Sequence, residues 1–297
     1  MSLYGGIEAG GTKFVCAVGS DPEHILSETT IPTTKSNETI ERVVEFFLKA
    51  QEEGTITAIG LGSFGPLDLN KASPFFGYIR NTPKPGWANT GIAGKIGEAL
   101  RVPILFNTDA NVAALGEATW GNGQGFDPLL YLTVGTGIGG GIIIHGKPLH
   151  GLIHPEMGHM RVPHDWKKDS FPGACAYHGD CLEGLASGPA LHQRWGIPAE
   201  LLPSNHEAWI LEAQYIATGL TNLICTISPK RIILGGGVMQ RTEVLGSVRG
   251  KIRELLNDYF EHKLFHEDIA EYVTPPKLGK RSGVLGAIAL ARKVFES

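Results

Sequence analysis

The feature that most restricts how this chain can fold is a unit it carries twice. Residues 3–19, LYGGIEAGGTKFVCAVG, read as a strand, a turn of Gly10-Gly11-Thr12-Lys13 and a second strand. Leu130 to Ile144 repeats the plan with an apolar strand, a small-residue loop holding Thr133 and Thr136, and another strand. The second copy also contains Gly135, Gly137 and Gly140 in GxGxxG spacing. A dinucleotide-binding turn needs a helix after those glycines, so that its N-terminus meets a pyrophosphate. Here the glycines run into Ile142, Ile143 and Ile144, which favour strand, and then into the turn His145-Gly146-Lys147-Pro148. The spacing therefore reads as a hairpin, and a dehydrogenase is disfavoured. Two such hairpins, each opening an α/β layer, predict a duplicated fold with a cleft between the copies.

The remaining pattern fits that plan. LSETTIPTT extends the first hairpin by a third strand, and Asn37 to Gln51 has the helical spacing Ile40, Val43, Val44, Phe47, Leu48, with Asn37 or Ser36 as cap. A buried strand over Ile56–Phe64 ends in Gly65-Pro66-Leu67-Asp68, and a helix is expected next, near Gly91–Leu100. VPILFNTDAN is a strand entering the helix ANVAALGEATWG, and helices at about 207–227 and 240–260 bracket the strand RIILGGGV. The expected division is an N-terminal α/β lobe over 1–111, with a last helix at 282–297 packing back on it. A C-terminal lobe over 112–281 then carries an irregular loop at 151–183.

Composition narrows the partners. Across 297 residues, 42% apolar and 19% charged is a globular balance, and a net charge of −4 with no basic cluster disfavours nucleic acid and anionic membranes. The start MSLYGGIEAGG has neither the basic nor the apolar part of a signal peptide, so a cytosolic protein is expected. Four cysteines are too few for a disulfide scaffold. The 40 glycines gather in turns between apolar segments, where backbone can approach a ligand.

Three groups of residues can carry chemistry. Gly10-Gly11-Thr12, Thr133 to Gly141 and Gly235-Gly236-Gly237 place glycine backbone at strand ends, and together they point to phosphate. Asp109, flanked by Asn107 and Asn111, comes directly after a strand and suits either a general base facing a cleft or an N-cap of the next helix. Cys175-x-x-His178-x-x-Cys181, with His159 sixteen residues before Cys175, offers four ligands for a tetrahedral zinc ion of structural type. His150, His154 and His164 are alternatives to His159 in that shell. Glu156 and Glu183 would be held beside such a metal, where they can accept hydrogen bonds from a polyhydroxylated substrate. Cys16 and Cys225 sit in apolar patterns and read as core.

Taken in order, GIEAGGTK, GSFGPLD, NTPKPGW, NTDANVAALGE, LTVGTGIGGG, HPEMGHM, CAYHGDCLEGLASGP and IILGGGV resemble the ROK family of sugar kinases over nearly the whole chain, specifically its bacterial fructokinase branch. The resemblance implies a ribonuclease-H-like, actin- and hexokinase-type duplicated fold with a central cleft for ATP, Mg²⁺ and a hexose. It implies that Gly10, Gly11 and Thr12 form the first phosphate loop, and Thr133, Thr136 and Gly137 the second. Pro189 and Gly235, Gly236, Gly237 and Val238 would flank the adenosine. Asp109 matches the catalytic base, and Asn107, Glu156, His159 and Glu183 the sugar contacts. His159, Cys175, His178 and Cys181 match the zinc ligands, one ring nitrogen of His159 serving the metal and the other the sugar.

Two departures from the wider family, Glu8 in place of Asp and His178 in place of a third cysteine, resemble the fructokinase branch. The longer Glu8 bears on how Mg²⁺ is held. Fructose is the expected substrate, with glucose, mannose and N-acetylmannosamine as alternatives and a non-catalytic sugar-binding regulator as a different class. The family's repressors carry an added N-terminal DNA-binding domain, for which a hairpin starting at residue 3 leaves no room. A homodimer is what the family suggests.

Overall fold

The computed structural model describes residues 2–295; the last two residues of the expected C-terminal helix lie outside them. Two compact units result. The first comprises residues 1–124, 146–155 and 277–297, and the second residues 125–145 and 156–276.

The first unit is built on β1 (Leu3–Ala9), β2 (Lys13–Asp21), β3 (His24–Pro32), β4 (Ile56–Ser63) and β5 (Ile104–Thr108), in the order β3-β2-β1-β4-β5. β1 runs antiparallel to β2 and parallel to β4, which is parallel to β5. The third strand lies two residues earlier than its sequence suggests, because Asp21 pairs with His24 in a tight turn. One face is covered by α1 (Ser36–Glu53), which buries Ile40, Val43 and Phe47 as its spacing requires and Ala50 besides, whereas Leu48 of the expected stripe is exposed. Neither Ser36 nor Asn37 caps it. Lys35 occupies that position without a side-chain bond, and buried Thr39 instead accepts from the Thr34 amide at 3.0 Å.

The other face takes the C-terminal helix Ser282–Phe295, at distances that only glycine permits. A Cβ on Gly6 would meet the carbonyl of Val284, one on Gly60 the carbonyl of Ala287, and one on Gly286 the carbonyl of Val112. Val112 belongs to α3 (Asp109–Trp120), so the two helices cross backbone to backbone at Gly116 and Gly286. This packing carries the first unit's opening segment to Gln124, past the expected limit at residue 111.

The second unit repeats the topology. β6 (Leu129–Val134) is antiparallel to β7 (Ile138–Ile144) and parallel to the strand Arg231–Gly235, which is parallel to Val273–Thr274. The last two strands occupy the places of β4 and β5. Helices Ala208–Ile227 and Thr242–Leu256 belong to this unit. Cys16 is core as expected, whereas Cys225 is exposed, on the outer side of its helix. No helix among the described residues is long and apolar enough to cross a membrane.

The glycine contacts make a paired prediction. Gly60→Ala should lower unfolding free energy in urea by about 1–3 kcal/mol or more, because neither carbonyl nor helix can give way. Gly94→Ala, on an exposed helical position with open space around a Cβ, should raise it by about 0.5–1 kcal/mol.

Candidate active site

In the first unit, register brings the site residues into line. Ala9 pairs with Ser63 and Ser63 with Thr108, so β1, β4 and β5 end together. Beyond Ala9 comes the Gly10 turn, beyond Ser63 the loop from Phe64, and beyond Thr108 the residue Asp109. Ligands in α/β sheets bind at the C-terminal ends of parallel strands, which is where these residues stand. Gly10 donates to the Lys13 carbonyl at 3.0 Å and closes the turn, leaving Thr12 exposed at its tip.

Asp109 is not the helix cap. Thr108 is, accepting from the Asn111 amide at 3.1 Å, and Asp109 is the first helical residue. Its Oδ1 accepts from the Ala110 amide at 2.7 Å. Burial raises its pKa, against the lowering effect of these backbone amides. Asn107 is buried; its Oδ1 accepts from the Thr108 amide and from Asn111 Nδ2, and its Nδ2 lies 3.2 Å from His150 Nε2.

Glu8, the last charged residue of β1, has no such satisfaction. Its Oε2 is buried with no hydrogen-bond partner among the described residues, while the Val284 amide donates to the carboxylate. The carboxyl group occupies the space that a Cβ on residue 283 would take, so Gly283 makes room for it. Burial first, and then the charge of Asp109, push the Glu8 pKa up to about 7.

In the second unit the loop from Thr133 to Gly137 closes through a 2.9 Å bond from the Gly135 amide to the Gly137 carbonyl, with Thr136 exposed at the tip. Thr136 thus corresponds to Thr12 in the first unit. The loop leads into β7 and not into a helix, as expected for a hairpin. The residues expected around a nucleotide meet here. The Gly188 amide, just before Pro189, donates to Gly135 O at 2.8 Å, and Gly188 also faces Val238. Gly236 takes φ of +100°, where a Cβ would strike the backbone of Val134.

The four expected metal ligands also converge. Their ligand atoms all lie within 4.8 Å of one another, with Cys175 Sγ 3.7 Å from His159 Nδ1, Cys181 Sγ 3.6 Å from the same nitrogen, and Cys175 Sγ 3.6 Å from His178 Nδ1. Sulfur and nitrogen ligands at zinc distances on a tetrahedron sit about 3.5 Å apart, so the donor set fits that ion. The other histidines are engaged elsewhere. His164 lies 2.9 Å from the Asp169 carbonyl and 3.3 Å from Asp180, and His154 accepts from the Leu67 amide.

Of the expected sugar contacts, Glu156 is exposed and its carbonyl accepts from the His159 amide, while Glu183 Oε2 accepts from the Ile138 amide at 2.9 Å. Glu117 and Asp169 are among the buried acids that sequence reasoning missed. Glu117, fully buried, accepts from the amides of Asn122, Lys277 and Leu278 and from the Ser282 hydroxyl. Asp169 accepts from Arg194, Tyr215 and the Phe171 amide. Only the mixed apolar and acidic character of α3 hinted at the first, and nothing local marked the second.

Known proteins extend these observations. Residues 4–294 match the profile of the ROK family. The chain is 46% identical over 294 residues to a fructokinase of Zymomonas mobilis, covering 97% of this chain and 96% of that one. It is 43% identical over 296 residues to a fructokinase of Streptococcus mutans, covering 98% of each. A ROK family glucokinase of Streptomyces griseus, solved with glucose and AMPPNP, superposes with a TM-score of 0.80 at 27% identity, covering 98% of this chain and all of that one. With the duplicated topology, the aligned strand ends and this full-length similarity together, the chain belongs to the ROK family.

Proposed function

We propose that the protein is an ATP-dependent hexose kinase that phosphorylates D-fructose at its 6-hydroxyl, with Asp109 as general base. The observation that carries the reading is the placement of Asp109. It is a carboxylate at the shared C-terminal edge of three parallel strands, in line with a glycine turn. Fructose is favoured over other hexoses by the 43–46% identity to fructokinases over nearly the full chain. A homodimer working in the cytoplasm belongs to the same reading and draws on family likeness.

In the reaction, Asp109 takes the proton of the sugar hydroxyl as that oxygen bonds to the γ-phosphorus and the bond to the ADP oxygen breaks. Gly10, Gly11 and Thr12 form one phosphate loop and Thr133, Thr136 and Gly137 the other, while Pro189 and Gly235 to Val238 flank the adenosine. Asn107, Glu156, His159 and Glu183 hold the sugar's hydroxyls. Mg²⁺, bound with ATP, neutralises charge on the transferring group. His159, Cys175, His178 and Cys181 would hold zinc in a closed four-ligand shell, which leaves no position for a reacting water and makes the metal structural. Because Nδ1 of His159 faces the two sulfurs, its Nε2 is the nitrogen left for the sugar.

ADP release with Mg-ATP and a panel of fructose, mannose, glucose and N-acetylated hexoses tests the substrate; turnover fastest on fructose is expected, and no turnover on any sugar moves the reading to a sugar-binding regulator. Asp109→Ala should cut kcat about 10²- to 10⁴-fold while MgADP affinity stays near that of the parent. An active Ala variant sinks the base assignment. Elemental analysis should find one zinc per chain, and Cys181→Ser should lose it and melt at lower temperature.

Glu8 gives a pH signature. Burial and the Asp109 charge both hold the Glu8 proton against the pull of Lys13. A carboxyl with a raised native pKa contributes stability that is fully present below its ordinary 4.5 and is lost as pH rises through about 7. Glu8→Gln, measured by urea unfolding without Mg²⁺ or nucleotide, should therefore abolish a fall in stability between those pH values that the parent shows. Parallel pH profiles in the two proteins would refute it.

A further inference from the structure

The resemblance places Glu183 against the sugar, but the structure commits half of its carboxylate elsewhere. Oε2 accepts the Ile138 amide at 2.9 Å and lies where a Cβ on Gly137 would stand, 2.6 Å away. On the other side of the same residue, a Cβ on Gly158 would collide with the Ile138 carbonyl. Both polar groups of Ile138 are thus bounded by residues next to metal-cluster members. Gly158 precedes His159, and Glu183 lies two residues after Cys181. These two segments are tied to each other by the Leu182 amide, which donates to Met160 O at 2.9 Å.

The opposite end of the loop is held by the same stretch of chain. The Gly188 amide donates to Gly135 O, and the Ser187 amide donates to Glu183 O at 3.0 Å. Gly135 to Ile138 is therefore gripped at both ends by residues 183–188, and closed on itself by the bond from Gly135 to Gly137.

We propose that Glu183 is a positioning residue for the nucleotide: through the Ile138 amide it fixes the Thr133–Gly137 loop in the shape that receives phosphate. The role of the loop rests on the kinase reading above. Oε2 serves the loop, and Oε1 is the oxygen that remains for a sugar hydroxyl, so one carboxylate joins the two substrates. Sugar and nucleotide affinities are then coupled through it, reciprocally.

The test separates this role from sugar contact by omitting sugar. MgADP affinity is measured by calorimetry on zinc-replete parent, Glu183→Gln and Glu183→Ala, and the exchange rate of the Ile138 amide is followed by NMR. Glu183→Ala should weaken MgADP about tenfold and speed Ile138 exchange by a similar factor, since a hydrogen bond to a charged group is lost. Glu183→Gln, whose amide oxygen can accept the same bond, should keep both within about threefold. An Ala variant equal to the parent in both readouts overturns the proposal, and so does a Gln variant as impaired as Ala. If Glu183→Ala does not fold, Gly137→Ala displaces the same oxygen and is read by the same exchange measurement. A folded parent that binds no MgADP would sink the kinase reading instead, and the exchange rates, which need no nucleotide, still decide the link between Glu183 and the loop.

Discussion

Everything in the first unit is positioned from one contact, the backbone of the C-terminal helix against glycine backbone of β1 and β4. With Val284 O over Gly6 and Ala287 O over Gly60, the helix sits closer than any side chain would allow. The same helix then crosses α3 at Gly116 and Gly286, and Gly62 receives the Val112 side chain from α3. Interiors pack at crystal-like density, so a methyl group inserted at this junction must move an element rather than fill a void. The element that moves is β1, β4 or α3, and these end or begin at Ala9, Ser63 and Asp109. Chemistry at the strand ends is thereby tied to chain more than 170 residues away in sequence.

The buried acids show how the fold separates holding from reacting. Glu117 accepts four hydrogen bonds and fastens residues 277–282 where the chain enters its last helix. Glu8 lies against that same helix, at Gly283, but keeps an oxygen unpaired and titrates near neutrality. A satisfied carboxylate orders its surroundings, whereas a buried one with an oxygen unpartnered, beside a second carboxylate, holds its proton more tightly. The glutamate at position 8 is long enough to reach the Val284 amide, and it requires glycine at 283.

What the sequence disclosed was whatever depends on local pattern. The two glycine–threonine hairpins, the strand leading into Asp109 and the spacing of Cys175, His178 and Cys181 each declare themselves within one short stretch of chain, and the structure forms both hairpins, runs the strand into Asp109 and brings the three ligands together. The cap of α1 escaped local reasoning because the side-chain bond at its start is accepted by Thr39, inside the helix, from the Thr34 amide before it. Cys225 escaped it because an apolar helix pattern does not say which side is covered. Glu117, Asp169 and the second duty of Glu183 were invisible for a different reason. Their side-chain partners and the Ile138 amide lie from 25 to 165 residues away, and no periodicity encodes a pairing of that kind.

The irregular loop illustrates why one kind of fastening was not enough. Its middle is held by Asp169, which accepts from Tyr215 at 2.7 Å and from Arg194 at 3.2 Å, with His164 bridging to Asp180. Those charges are buried, and a buried pair is costly to leave half-made, so the network specifies one conformation strongly. It extends to the segments that touch the hairpin of the second unit, since Arg194 also donates to the Leu185 carbonyl at 2.8 Å and Asp180 pairs with Arg161. Backbone bonds add to it there, among them those from Leu182 to Met160, Ala174 to Gly184 and Ser187 to Glu183. The two sulfurs and two imidazoles gathered between these segments offer a further fastening where a cation is shared among them. On the kinase reading proposed above, a cation shared there would steady the Glu183 carboxylate, which accepts from the Ile138 amide.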